Sequence, residues 1–222
     1  MKKLIVMLSV LIISIGLVLT GCGKTKIDPP EVTAEAFYDI YVLGDSTKIE
    51  KLGVEKSEYE SIVETERNAI ISAIKNNFTI GGFTISNDQL NRIADAELAA
   101  LKKLTPKIET TSTSKETASV KIATTYADVV TADQKAANDA LAEVKAMGLT
   151  SESEARTKFV EIYVNKIVEN VNAIEPSADT KEKTFTFKIE KFNVGGKAKD
   201  IWIPSDMTSF GTDLGKMITG QN

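Results

Sequence analysis

Apolar residues recur every three to four positions through much of the N-terminal half of the chain. One such segment covers residues 33–43 and is followed by Gly44, a residue that commonly terminates helices. Two more cover residues 57–78 and 86–104, and each opens with a serine followed three residues later by Glu or Gln, the spacing of a capping box. Pro106 prevents the last segment from continuing. The pattern predicts three consecutive helices.

The period of the apolar residues then changes to two, which is typical of strands. Residues 107–113 are rich in threonine, and residues 119–130 alternate between apolar and polar side chains, with a polar turn at 112–116. These segments predict an antiparallel strand pair. Helical spacing returns in residues 132–147 and 152–174, so two more helices are expected.

A second strand pair is expected near the end of the chain. Apolar residues alternate within residues 184–194 and change face near Phe192, which predicts a β-bulge. A Gly-Gly-Lys turn at 195–197 then leads into a strand at 199–203. The apolar spacing after Pro204 predicts a short final helix.

Three helices, two strands, two helices, two strands and a helix together indicate an α+β fold. We expect the two strand pairs to join into one curved antiparallel sheet of about four strands with the helices packed against it. This order is similar to the cystatin-like and nuclear-transport-factor-like architectures. Residues 32–222 are expected to form a single α+β globular domain.

Composition narrows the chemistry that this domain can perform. The 222 residues include no histidine and one cysteine, so the usual general base, the usual zinc ligand and an intramolecular disulfide are all excluded. After residues 1–21, the chain has 25 basic and 31 acidic residues, a balance that disfavours nucleic acid as a partner. No metal ligand and no cofactor is predicted.

The N-terminus has the layout of a secretory signal. Lys2 and Lys3 precede an uncharged run of 16 residues, 4–19. A permanent transmembrane helix is the alternative, since the run up to Cys22 approaches the length that crosses a bilayer.

The four residues that end the run decide between these alternatives. Leu19, Thr20, Gly21 and Cys22 resemble the lipobox of bacterial prolipoproteins. The resemblance implies that residues 1–21 are a cleaved signal peptide, that Cys22 carries a thioether-linked diacylglycerol, and that its new amine accepts an acyl chain such as palmitate. Residues 22–31 would then be the lipidated N-terminus and a tether. The alternative of a buried free cysteine fits poorly with its place after the apolar run.

The whole chain is also similar to a family of uncharacterised Gram-positive surface lipoproteins known only as a domain of unknown function. The shared features are the lipobox at Cys22, the helical N-terminal half, the Thr-rich strand pair and a late strand around Trp202 before a final helix. This resemblance implies a location and a fold and transfers no catalytic residues.

Two short motifs match the nucleophile motif S-x-x-K of penicillin-recognising acyl enzymes. They are Ser72 with Lys75 and Ser112 with Lys115, but neither S-D-N nor K-T-G accompanies them. We therefore predict no catalytic residue from these matches.

Carboxylates are plentiful, which raises two alternatives: a glycosidase-like acid pair and a calcium site. Asp88 and Asp95 lie seven residues apart and Asp133 and Asp139 lie six apart on predicted helices, without a calcium-loop pattern. We interpret both pairs as residues of solvated helix faces.

Trp202 is the candidate for a ligand pocket. A lone tryptophan on a strand is usually a core residue with its indole N–H satisfied at the edge. It is also a candidate to line a pocket between sheet and helices together with Tyr126, Phe185 and Phe187.

Taken together, these features predict a membrane-anchored extracytoplasmic lipoprotein whose domain binds a partner without chemistry. The partner would be an envelope protein, a wall component or a small molecule, and the lipid anchor would hold the domain at the cell membrane. The alternative is an envelope-acting hydrolase that uses carboxylates or Ser/Lys. Convergent carboxylates in a cleft would favour the hydrolase, and an apolar groove or an exposed patch would favour binding.

Overall fold

The computed structural model describes residues 27–194 and 197–221. The predicted signal peptide, lipobox and Cys22 lie outside these residues. The helices of the described part are α1 (Pro30–Tyr38), α2 (Thr47–Leu52), α3 (Lys56–Ile80), α4 (Asn87–Leu101), α5 (Val129–Ala146), α6 (Glu152–Asn172) and α7 (Met207–Ile218). Its strands are β1 (Pro106–Thr113), β2 (Thr117–Thr124), β3 (Lys181–Val194) and β4 (Lys197–Pro204).

The four strands form one antiparallel sheet in the order β1-β2-β3-β4, which confirms the predicted α+β class. The long strand β3 is shared between two partners. Residues 181–188 pair with β2, and residues 187–194 pair with β4. The two ends of β3 therefore have different surroundings: one lies within the sheet, and the other belongs to a two-stranded extension.

The β-bulge predicted near Phe192 is absent, because β3 and β4 pair without interruption from Phe187 with Pro204 to Val194 with Lys197. Beyond Lys188, β3 no longer pairs with β2. The apolar positions there need not all lie on one buried face, so the change of face near Phe192 does not require a bulge. The register shift of the sheet lies instead in β1, between Thr110 and Ser112.

The strand predicted over residues 119–130 ends earlier, at Thr124. Asp128 explains the difference, since its carboxylate accepts a hydrogen bond from the Thr131 N–H and caps α5. The short helix α2, which was not predicted, has only Ile49 and Leu52 as buried residues, too few to show a helical period.

Helix α1 is the central element of the domain. It contacts β1, β2 and β4, and a π-helical turn at Asp39–Leu43 continues it into contact with α3 and α4. Gly44 ends this turn with φ +66°, a left-handed conformation that glycine adopts without strain. Tyr38 is fully buried, and its Oη lies 2.6 Å from Thr124 Oγ1. Six of the nine residues of α1 are buried, and through them the helix holds the sheet and the helical layer together.

Helix α7 closes the apolar core over the sheet. Phe210 is 1% exposed, and its ring contacts four aromatic rings from α1, the π-helical turn and β3: Phe37, Tyr41, Phe185 and Phe187. The remaining helices pack beside this core, with α6 against both α4 and α5.

The capping box predicted at the start of α4 is confirmed. Ser86 Oγ accepts a hydrogen bond from the Gln89 N–H at 3.2 Å, and Gln89 Oε1 accepts one from the Ser86 N–H at 2.9 Å. The side chain of Ser57, where the other box was predicted, lies outside the described side chains.

Replacing Ser86 by alanine is expected to lower the free energy of unfolding by about 1 kcal/mol, because a backbone N–H loses its partner. Urea denaturation measures the loss. Ser72→Ala is the matched control: Ser72 is exposed in the middle of α3, where alanine is the better helix former and no cap is removed. Equal losses in the two variants would contradict a capping role for Ser86.

Candidate functional site

The residues predicted to line a pocket occupy two different places. Phe185 and Phe187 are buried against Phe210, and Trp202, 5% exposed, belongs to the same core. Tyr126 lies near the start of β3, where the Lys181 ammonium is 5.8 Å from its ring centroid. Because Trp202 pairs with Ile189, eight residues beyond Lys181 along β3, the structure separates Tyr126 from Trp202. A ligand pocket at these residues stays a prediction.

An open groove of about 700 Å³ lies between the loop that precedes α4 and the first turns of α6. Its lining residues are Gly82, Thr84, Ser86, Gln89, Glu152, Ser153, Arg156, Thr157, Val160 and Glu161. Most of these residues carry polar side chains, so the groove presents hydrogen-bond donors and acceptors, although apolar atoms form the larger part of its surface.

Arg156 organises the groove. Its Nη1 donates to the Gly82 carbonyl at 2.9 Å, and its Nε and Nη2 donate to Glu152 Oε1 at 3.1 and 2.9 Å. The guanidinium carbon lies 5.6 Å from the centroid of the Phe83 ring, a cation–π distance. One side chain thus fixes the loop before α4 to the beginning of α6.

The two carboxylates of the groove are paired and solvated. Glu152 binds Arg156, and Glu161 Oε2 lies 2.8 Å from Lys158 Nζ. Their side chains are 81% and 55% exposed. These two carboxylates are therefore exposed members of ion pairs rather than enclosed groups set apart for acid–base chemistry.

A group of buried acidic side chains lies deeper in the helical layer. Glu97 on α4, Asp133 on α5 and Tyr163 on α6 are each no more than 5% exposed. The Tyr163 hydroxyl donates a short hydrogen bond to Asp133 Oδ1. Within the described part of the chain, no lysine or arginine forms a salt bridge with Glu97 or Asp133.

Burial dominates the protonation of this group. Burial, followed by the charge of Asp133, raises the pKa of Glu97 to about 8. Burial also raises the pKa of Asp133, against the opposing effect of the Tyr163 hydrogen bond. The pKa of Tyr163 is raised well above 10, first by burial and then by Asp133. Glu97 is therefore mostly a neutral acid at pH 7, and Tyr163 keeps its proton.

Glu66 on α3 is a further buried carboxyl group. It is 8% exposed, and its Oε1 has no hydrogen-bond partner among the described residues. Burial raises the pKa of Glu66 to about 7. Tyr41 lies within its electrostatic range: burial, followed by the charge of Glu66, raises the pKa of the Tyr41 hydroxyl.

A chain of aromatic contacts connects the groove to the buried acids. Phe83, beneath Arg156, stacks on Phe159 at 4.9 Å between ring centroids, and Phe159 in turn stacks on Tyr163 at 6.0 Å. The rings of Phe83 and Phe159 thus lie between Arg156 and Tyr163, the residue whose hydroxyl is hydrogen-bonded to Asp133. The hydrogen bond from Tyr163 to Asp133 joins α6 to α5, which is a structural role for this pair.

Our sequence interpretation of Asp133 as a residue of a solvated face was wrong, because it is 3% exposed. Asp139, which the sequence interpretation grouped with Asp133, does lie near the surface, with its Oδ2 2.8 Å from Lys135 Nζ. Asp88 and Asp95 are also exposed. Asp133 lies four residues after Val129 in the buried stripe of α5. Because it is acidic, the hydrophobic pattern assigned it to the exposed face of the helix.

Sequence analysis also missed Glu97 and Glu66, although both lie on buried stripes. Glu97 follows Ile93 by four residues on α4, and Glu66 lies midway between Ile62 and Ile70 on α3. An acidic residue at a core position of a helical pattern is the signal that could have found all three.

The remaining candidates lie at the surface. Ser72 and Lys75 are exposed on α3, and Ser112 and Lys115 are exposed on and just after β1. Among the described residues, no group of three or more His, Cys, Asp or Glu side chains is arranged to hold a metal ion. In the same residues, no helix combines the length and the apolar character that a membrane span needs.

No protein-family model matches the chain, and no curated protein matches it in sequence. Among solved structures, the chain is similar to ycdA from Bacillus subtilis, a protein provisionally classed as a lipoprotein, with a TM-score of 0.59 and 18% sequence identity. The match covers 85% of this chain and 55% of that one, so the present chain spans about half the length of its structural neighbour. At this level of identity, the similarity shows a shared fold.

Proposed function

We propose that this protein is a lipid-anchored extracytoplasmic binding protein that acts without catalysis. The observation that carries the proposal is the sequence Leu19-Thr20-Gly21-Cys22 at the end of an apolar run, five residues before Ile27. Ile27 is the first described residue, and it already packs against the core. A lipid on Cys22 would therefore hold the domain directly at the membrane surface.

The anchor would be durable. A diacylglycerol supplies two acyl chains, and two chains give stable attachment where one is marginal. Lys24 and Lys26 follow Cys22 in the sequence and would each add about 1 kcal/mol against anionic headgroups. The classification of ycdA among lipoproteins supports the same assignment.

Binding rather than hydrolysis is supported by the distribution of carboxyl groups. The acids with raised pKa values, Glu66, Glu97 and Asp133, are enclosed by the helices, whereas the acids of the groove are solvated and paired. We place the ligand site of this domain in the Arg156 groove. Its polar side chains on a partly apolar surface suit a ligand that has both polar and apolar groups, either a wall component, a small molecule or a segment of an envelope protein.

Cys22→Ala is expected to abolish the incorporation of labelled fatty acid and to move the protein from the membrane fraction to the soluble fraction, since the thioether cannot form. Metabolic labelling and cell fractionation measure both effects. Lys26→Ala, which leaves the lipobox intact, is the control and is expected to stay labelled and membrane-bound. Labelling that persists in Cys22→Ala would refute the anchor.

A further inference from the structure

The first helix shows which end of the sheet is nearer to the tether. Near the start of α1, the Glu31 carboxylate accepts a short hydrogen bond from Thr110 Oγ1, in the middle of β1. At the other end of α1, Tyr38 reaches Thr124, the last residue of β2. The chain therefore enters the domain on the side of the β1–β2 turn and runs away from it along the sheet.

The extension of β3 and β4 projects from this same end. We call residues 189–194 and 197–202 the β3–β4 arm; its base, at Ile201 and Trp202, is buried in the core, and its outer pairs run from Lys191 with Asp200 to Val194 with Lys197. Six residues of β3, 189–194, continue past the last pair with β2 and would add up to ~20 Å to the sheet at ~3.3 Å per residue.

A direct contact joins the arm to the beginning of the folded chain. Lys199 Nζ, on the arm, lies 3.2 Å from Asp28 Oδ2 and 3.4 Å from the Leu52 carbonyl oxygen. Lys199 pairs with Phe192, two pairs before the last pair of the hairpin. Residue 28 is thus held beside the outer part of the arm.

The length of the remaining tether limits how far the arm can lie from the bilayer. Ile27 lies five residue steps after Cys22, and a fully extended chain of five steps spans at most ~18 Å. This reach is no longer than the arm itself. A lipid on Cys22 therefore keeps the arm within reach of the headgroups.

The sequence of the arm is suited to that surface. It contains three lysines, at 191, 197 and 199, against Glu190 and Asp200, and Phe192 and Val194 lie among them. Lys199 already pairs with Asp28, so Lys191 and Lys197 are the lysines of the arm that would approach anionic headgroups, an arrangement that favours membrane association.

From these contacts, we infer that the β3–β4 arm lies against the anionic lipid headgroups of the membrane and turns the opposite end of the sheet toward the exterior. The inference rests on the lipid anchor proposed above. In this orientation Asp179, which precedes β3 at the opposite end of the sheet, is far from the bilayer. The 13 residue steps from Lys181 to Val194 extend up to ~43 Å.

Site-specific quenching tests this orientation on the full lipidated protein. Cys22 is the chain's one cysteine and its sulfur is occupied by the lipid, so a new cysteine can be labelled selectively. A fluorophore at Ala198→Cys is compared with one at Asp179→Cys, in vesicles of equal phosphatidylcholine and phosphatidylglycerol that contain a nitroxide-headgroup lipid. We expect quenching at position 198 to be several-fold stronger than at 179.

Charge and lipid composition provide the controls. Lys191→Glu combined with Lys197→Glu, and vesicles of phosphatidylcholine alone, are both expected to reduce the difference between positions 198 and 179. An undiminished difference would overturn the role of anionic lipid.

Failure of the anchor and failure of the orientation give different results. A protein that lacks fatty acid and does not float with vesicles would overturn the anchor and this inference together. A lipidated, vesicle-bound protein with equal quenching at the two positions would overturn the orientation alone. Protection of position 198 by a protein or a wall polymer in cells, without quenching by lipid, would also overturn it.

Discussion

Replacing Glu97 by glutamine is expected to raise the free energy of unfolding by about 5 kcal/mol above pH 8 and to leave it nearly unchanged in acid. The pKa of Glu97 is raised from 4.5 to about 8 in the folded protein by burial and by Asp133. Each pKa unit corresponds to about 1.4 kcal/mol. Glutamine has a similar shape and no proton to lose, so it removes this penalty.

The direction follows from the two protonation equilibria. Below pH 4.5 the carboxyl group is protonated in both the folded and the unfolded chain, so it does not affect stability. As the pH rises from 4.5 to about 8, the unfolded chain releases its proton while the folded chain retains it, and stability falls. Above about pH 8 both states are ionised, and the loss is complete.

Urea denaturation at several pH values, followed by the fluorescence of Trp202, measures the effect. Glu66→Gln is expected to remove a smaller part of the loss of stability with rising pH, between pH 4.5 and about 7. Glu109→Gln provides a contrast of opposite sign. Hydrogen bonding to Lys121, with the charge of Lys107, lowers the pKa of Glu109, so any stabilisation it provides disappears in acid. A wild-type stability that does not fall between pH 4.5 and 8 would contradict the burial of Glu97 as an acid.

Phe210→Ala is expected to lower the free energy of unfolding by about 3 to 5 kcal/mol, the cost of removing a large buried ring and leaving a cavity. Its ring centroid lies 4.9 Å from that of Phe185 and 6.0 Å from that of Phe187. Contacts with Phe37 and Tyr41, at 6.3 and 6.4 Å, extend the cluster to α1 and the π-helical turn.

The shift of the urea midpoint measures this loss. Ile80→Ala is the control, because Ile80 is 85% exposed and its removal is expected to change stability by no more than about 0.5 kcal/mol. Phe210→Leu is expected to lie between the two. A Phe210→Ala protein as stable as Ile80→Ala would show that α7 does not close the core.

Local signals predicted most of the fold. Ser86 and Gln89 marked the start of α4, and the alternation of Phe185 and Phe187 marked β3, because capping and strand periodicity depend on a few neighbouring residues. The single antiparallel sheet followed from the order of the elements. The missing bulge at Phe192 could not be foreseen, since it depends on where β3 leaves β2, a long-range feature.

The candidate sites were less predictable for a related reason. Glu66, Glu97 and Asp133 lie on buried stripes, but acidic residues are usually solvated, and a pattern of polarity assigns them to the surface by default. The separation of Tyr126 from Trp202 depends on the length and pairing of β3. Cys22 lies outside the described residues, so its lipidation stays a prediction from sequence.

The central position of α1 has a consequence for how the chain acquires its structure. This helix is near the start of the chain, yet Tyr38 bonds to a residue 86 positions later, and Asp28 pairs with Lys199 across 171 positions. Such contacts between distant parts of a chain form late, because a large loop must close first. We therefore expect the domain to remain unfolded during synthesis until α7 has emerged, as the export proposed above would require. Helix α1, the helix nearest to the proposed lipid anchor, would thus gain its contacts only when the last strands of the chain are available.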